Sequence, residues 1–430
     1  MKKRINAIVY NPELRNKVIF TLIILLIFRI GVHISIPGVD ITSLKEAMTG
    51  GSAGIFQMMN LLGGDALKNY SIFGLGVGPY ITASIVIQLM SYDIVPYFTD
   101  LKNGGDAGRK KMSQITRYVA IVLSFAQGYM LSVAFNAQYH LVDDPSFLGF
   151  TKIALIMTAG AIFILWLADQ ITTKGIGNGT SMIIMAGIVD KVPMTFVNII
   201  KTFFQNHSQV LAIVLSVLII LLFLALIIFT VFTQQAMRKI PVQYANNTVK
   251  SGERTYLPFR INVAGVIPVI FASALLMVPA TIFQMLAGSQ TTGIWYTLAN
   301  VFNYQTLIGL ILYILLIFAF TYFYANQSVD AKKLSENLGR NGGYIIGIRP
   351  GEETLKFVKK VVNRLNFLGG ASLAVIAAIP LILPMILNVS KNNAYGLGGT
   401  GLIIIVGVAI DFVQRIDSFS SVKQRGSFIK

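Results

Sequence analysis

Apolar stretches close to twenty residues long, separated by polar segments, run the length of the chain. Ten of them, at residues 18–36, 71–91, 116–136, 153–172, 181–201, 210–233, 262–285, 305–325, 368–388 and 400–418, are read as membrane-spanning helices. At about 1.5 Å per residue each reaches across a hydrocarbon core of about 30 Å. The apolar run Gly54 to Leu62 is different, because it breaks off in Gly63-Gly64-Asp65. As a helix it would rise only about 14 Å, so it enters the membrane region without crossing it. Unpaired backbone groups at that depth cannot face lipid, and a break of this kind marks protein-lined space, a channel or a binding site.

Composition agrees with the pattern: 54% of residues are hydrophobic and 12% charged, against about 25% charged in soluble domains. The expected class is an all-α polytopic membrane protein. An even number of spans puts both termini on one side. Of the 35 Lys and Arg residues, 28 lie in or beside the termini and even-numbered loops, against 6 in or beside the odd-numbered ones. By the positive-inside rule the termini are cytoplasmic, which implies a multi-pass protein of the cell membrane. The net charge of +17 fits that bias and equally fits an anionic partner such as a ribosome. The absence of cysteine excludes disulfides, thiol catalysis and cysteine-ligated metals. The first apolar segment exceeds a cleaved signal in length and lacks a small-residue cleavage motif after it, so it reads as a retained helix.

Five spans fall in residues 1–202 and five in 203–430, which inverts the second half relative to the first. An inverted repeat is thereby permitted, with a site between the halves; no residue-level repeat is visible, and ten spans without internal symmetry fit as well. Two cytoplasmic loops are long. Residues 235–261 carry Arg238, Lys239, Lys250, Arg254 and Arg260 against Glu253, and residues 326–367 carry eight basic residues. In the second loop Gly347, Pro350 and Gly351 punctuate the backbone around Arg349. An amphipathic surface helix follows, with Leu355, Val358, Val361, Val362 and Leu365 on one face and Lys356, Lys359, Lys360 and Arg364 mostly off it. The loops are docking surfaces or simply solvated, positively charged segments.

Catalytic signatures are missing. The chain has no HExxH, GxSxG or GxxxxGK motif, so no enzyme class is supported. Gly396, Gly398 and Gly401 match GxGxxG but follow no strand, and His33, His140 and His207 are scattered near span ends. Carriers reveal themselves through ionisable residues at membrane depth. Here Arg29 stands as the basic residue well inside a span, while Asp93, Asp169 and Asp411 lie near ends. A secondary transporter with inverted repeats and broken helices stays as the alternative. Helix breakers are more prominent: Gly74, Gly76, Gly78 and Pro79 loosen the start of the second span ahead of Ile81 and Ile85, and Gly175, Gly177 and Gly179 precede the fifth.

At these residues the chain closely resembles the SecY family, the central subunit of the protein-conducting translocase. The matching segments are Ile34 to Gly38 (ISIPG), Ser71 to Leu89 (SIFGLGVGPYITASIVIQL), Ile171 to Val189 (ITTKGIGNGTSMIIMAGIV), Leu257 to Leu276 (LPFRINVAGVIPVIFASALL), Gly347 to Thr354 (GIRPGEET) and Gly398 to Val408 (GGTGLIIIVGV). They occur in family order over nearly the whole chain. The resemblance implies ten helices in two pseudo-symmetric halves around an hourglass channel without cofactor or catalytic residue. It makes residues 54–67 a re-entrant plug half-helix, including Gly54, Ile55, Phe56, Met58, Met59, Leu61 and Leu62. It lines the constriction with Val77, Ile81, Thr180, Ile184, Ile270 and Ile404, where Thr180 departs from the aliphatic pattern. It places Ile85, Gln88 and Asn262 at a lateral gate that releases signal and membrane helices. It assigns Lys250, Arg254 and Arg349 to docking of the SecA ATPase or a ribosome. SecE-like and SecG-like membrane subunits, translocating polypeptides with their signal sequences, and the lipid bilayer are the other implied partners.

Overall fold

A computed structural model describes residues 11–42, 44, 63–92, 94–206, 208–244, 255–287, 293–304, 306–386 and 399–426. Its helices are α1 (Pro12–Val32), α2 (Gly78–Met90), α3 (Pro96–Asn103), α4 (Gly105–Tyr139), α5 (Phe147–Lys174), α6 (Gly179–Asn206), α7 (Gln209–Gln235), α8 (Ile267–Ala287), α9 (Ile294–Phe302), α10 (Leu307–Ser328), α11 (Ala331–Arg340), α12 (Glu352–Ile386) and α13 (Gly399–Gly426). Each predicted span falls on one of them. Among the described residues seven helices are long and apolar enough to cross a membrane, and α2 is a shorter apolar helix.

The boundaries differ most where breakers sit. The second span, expected over residues 71–91, is helical only from Gly78. Residues 72–77 form successive turns, with Gly76 at φ +56°. Pro79 in the first helical turn has no N–H and would clash with helix built upstream, so the chain bends instead. In the other direction, α4 and α12 run past their apolar cores. Each is a continuous helix of 35 residues, because charged residues with good helix propensity carry the helix into the polar zone.

Large apolar side chains cover the outside of the bundle. Leu22, Leu26 and Ile30 on α1, and Val210, Val214, Leu221 and Ile228 on α7, are exposed. Spaced four or seven apart, they form apolar stripes on the outside of the bundle that suit a covering of lipid. Inside, the main apolar cluster joins α1, the turns at residues 73–77, α2, α5, α6, α8, α10, α12 and α13. A second packs Leu44, Leu67, Tyr70, Phe135 and Met157 together around α4 and α5.

One feature departs from the all-helical expectation. The two long loops contribute a three-stranded antiparallel sheet in the order β2-β1-β3, with β1 at Met237–Tyr244, β2 at Thr255–Arg260 and β3 at Gly343–Ile345. Ile240, Val242, Phe259 and Ile345 from the sheet pack on Ala331 and Leu338 of α11 and on Val358, Val361, Val362 and Leu365 of α12. The expected apolar face of residues 355–365 is therefore the floor of a small module. Pro241 hid the central strand, since proline cannot donate to a ladder on both sides. It is tolerated because β3 pairs only with Val242, Gln243 and Tyr244, leaving position 241 next to β2 alone.

Candidate functional site

Five of the six residues expected at a constriction lie in the main cluster. Val77, Ile81, Ile184, Ile270 and Ile404 are each at most 6% exposed. They come from four separate elements, and each lies at or near a helix start. Val77 is the N-cap of α2 and its carbonyl accepts from the Ile81 N–H. Ile270 closes the first turn of α8 onto Val266. The breakers ahead of these helices thus set where the aliphatic side chains sit along the bundle axis. Thr180 does not join them. It is half-buried in the first turn of α6, while Met182, Ile183 and Ile188 enter the cluster with Ile184.

The plug residues Gly54, Ile55, Phe56, Met58, Met59, Leu61 and Leu62 lie outside the described residues. The chain that follows them is tied down. Asn69 donates to the Val32 carbonyl, and backbone bonds join Ile36 to Tyr70 and Ile72 to Ile34. Ala66, Leu67 and Tyr70 are buried. A cavity of about 80 Å³, lined by Gly63, Val77 and Ile81 on one side and Met277, Thr281 and Ile282 of α8 on the other, separates this segment from α8.

The expected gate residues are close to neighbours but are not bonded to each other. Gln88 donates to Ser84 and accepts from the Tyr324 hydroxyl of α10, whereas the Asn262 amide donates to the Gly265 carbonyl at 2.9 Å. Its Oδ1 is buried without a hydrogen-bond partner. Ile85 is fully buried in the main cluster. Tyr324 was missed in the sequence because a tyrosine near a span end reads as an interfacial anchor. The pairing of two charged residues within the predicted span 181–201, Asp190 and Lys191 of α6, was also missed. Lys191 pairs with Asp65 at 3.0 Å, and Asp190 pairs with Arg29.

Arg349 is exposed on a tight loop. Gly347 at φ +84° and Gly351 at φ +98° turn the backbone, the buried Thr354 hydroxyl donates to the Arg349 carbonyl, and Ser335 of α11 donates to that of Gly351. Lys250 and Arg254 lie outside the described residues. Asp330, beside this loop, accepts from the backbone N–H groups of Lys332 and Lys333 as the N-cap of α11. Those bonds, the one from Lys333 foremost, hold its carboxyl below the usual carboxylate range. Between α6, α7 and α13 runs an apolar crevice of about 650 Å³, lined by Val192, Phe196, Phe223, Ile405 and Val406 among others. No cluster of His, Cys, Asp or Glu able to hold a metal occurs among the described residues.

This arrangement defines a polytopic helical membrane protein built around a buried aliphatic cluster, with a sheet-containing module at one end. The family model for SecY matches residues 71–413, and the chain belongs to the SecY family. The protein translocase subunit SecY of Staphylococcus carnosus (strain TM300) is 42% identical over 422 residues, 97% of this chain and 96% of that protein. Its counterpart in Bacillus subtilis (strain 168) is 41% identical over 426 residues, 97% of each chain. Among solved structures, a protein-conducting channel matches with a TM-score of 0.67 at 17% identity, over 94% of this chain and 92% of that one. Sec61 in the canine ribosome–channel complex from the endoplasmic reticulum matches with a TM-score of 0.65 at 18% identity and the same coverage.

Proposed function

We propose that this chain is the channel subunit of a protein translocase. It passes unfolded polypeptides across the cytoplasmic membrane and releases signal or membrane helices sideways between α2 and α8. The observation that carries the reading is the convergence of Val77, Ile81, Ile184, Ile270 and Ile404 in one buried aliphatic cluster, in a chain of this family. A narrow aliphatic lining dewets and blocks ions, yet makes no directional bonds, so it closes around any passing side chain. Residues 54–67 act as a displaceable stopper of the channel. No step of this function needs a nucleophile, a base or a metal.

Energy comes from partners. With the termini and the basic sheet module on the cytoplasmic side, Arg349, Lys250 and Arg254 form the landing surface for the SecA ATPase or a translating ribosome. Sec61 bound to a ribosome supports the second of these. The apolar crevice along α13 suits a helix of a small SecE-like subunit, with a SecG-like subunit elsewhere on the rim. The carrier reading loses its ground, because the chain belongs to a family of protein-translocase subunits. The test is a photoreactive residue in place of Ile81, and separately of Ile404, in the assembled translocase. A stalled precursor should crosslink there and at position 404; crosslinking confined to lipid or to other subunits would overturn the assignment.

A further inference from the structure

Arg29 and Lys191 are basic side chains within predicted spans, where charge is costly unless it is paired or reaches water. Both are directed at the same short piece of chain. Arg29, near the end of α1, donates through Nη1 to the Gly64 carbonyl at 2.8 Å and through Nη2 to Asp190 of α6. Lys191, the next residue on α6, is nearly buried and bonds Asp65 at 3.0 Å. Consecutive residues of one segment are thus held from two helices: Gly64 by Arg29 of α1, which also pairs with Asp190 of α6, and Asp65 by Lys191, the residue after Asp190.

Backbone geometry shows a fitted seat. Gly64 at φ +65° and Asp65 at φ +70° hold left-handed conformations; for Asp65 that conformation persists only where its surroundings impose it. Gly187, one turn before Lys191, lets the segment approach α6 closely. A Cβ there would stand 3.0 Å from the Gly64 nitrogen and 3.1 Å from its Cα. Lys68 and Arg29 also stand near Lys191, so three cations gather around the two carboxylates, which pair with Arg29 and Lys191. Side chains of Arg29, Asp65 and Asp190 keep 28 to 42% exposure, and water can solvate them when the pairs part.

We propose that Arg29, Asp190, Lys191 and Asp65 form an ionic clasp. It positions the segment emerging from residues 54–62 and sets how readily that segment leaves its seat. The clasp rests on the reading of residues 54–67 as the channel's stopper, and its charge pairing makes closure specific while leaving opening inexpensive, unlike an apolar seat of equal area. Residues on α1 and α6, outside the lateral opening between α2 and α8, thereby act as positioning residues for gating.

The test uses the reconstituted translocase complex with Gly63→Cys, a position where a Cβ meets only Ala66 at 3.7 Å in a chain that has no native cysteine. Labelling of this cysteine by an impermeant thiol reagent, from each side of the membrane, reports release of the segment. Ion conductance of the resting channel reports the stopper. Lys191→Met and Asp65→Asn should each raise the labelling rate about tenfold, the scale of losing a partly buried ion pair. The exchange Asp65→Lys with Lys191→Asp should restore it, and Gly187→Ala should raise it with every charge intact. Faster labelling with unchanged conductance keeps the clasp and rejects the stopper reading. Unchanged labelling in both single variants, or failure of the exchanged pair to restore it, overturns the clasp.

Discussion

Ile404 is fully buried in the central apolar cluster. An amide at that position has nothing to bond except water, which it would draw into the constriction. Ile404→Asn is therefore expected to raise the ion conductance of the resting, reconstituted channel; conductance equal to the parent would refute the role of this side chain. Tyr324 and Gln88 supply a second test, since removing the phenol leaves the Gln88 Oε1 short of its donor. Tyr324→Phe should destabilise the protein by about 1 kcal/mol, near the usual worth of such bonds within bundles. Combined with Gln88→Leu, it should cost less than the sum of the single changes in thermal denaturation. The aliphatic positions were assigned through the family's motifs, while the helix breakers mark only where α2 and α6 begin. The Gln88 partner was not legible, since Tyr324 lies 236 residues away and no local pattern encodes that meeting.

Among the elements, α11 is the one whose stability rests most openly on a single cap. It is ten residues long, too short to hold alone in water, and Asp330 satisfies two of its free N–H groups. Asp330→Ala should cost about 1 kcal/mol, seen as faster amide exchange in Ala331–Arg340. The folded carboxyl sits below its ordinary range, so its stabilisation is complete above that range. It is lost as pH falls through the ordinary carboxylate range to the lowered folded value, and exchange in α11 should quicken over that interval. Spans were legible because twenty apolar residues have few alternatives. The sheet was not, because Pro241 interrupts β1 and because β3, three residues long, pairs with a strand about a hundred positions earlier. The clasp escaped for a related reason: nothing local to Asp190 and Lys191, midway along the predicted span 181–201, encodes their meeting with Arg29 and Asp65.

At the scale of the whole molecule, Arg349 belongs to a surface and not to the core. It is exposed, its loop is held by Thr354 and Ser335 through backbone carbonyls alone, and its side chain is not needed for the turn. Arg349→Glu should leave the melting temperature unchanged while impairing SecA-driven export of a precursor; normal export would reject the docking role. Forces arriving there have a direct route inward. The helix α12 begins beside this loop and runs unbroken for 35 residues, about 52 Å. Near its middle Gly369 lies against the Ile261 backbone and Gly370 against the Phe318 ring, so close that a Cβ would come within 2.8 and 2.9 Å. Such a beam, pinched at its midpoint, is a balanced lever with arms of about 25 Å. A tilt of its outer arm about that pinch is expected to carry the inner arm, whose Leu373, Ile376 and Ala377 are buried in the main cluster, the other way.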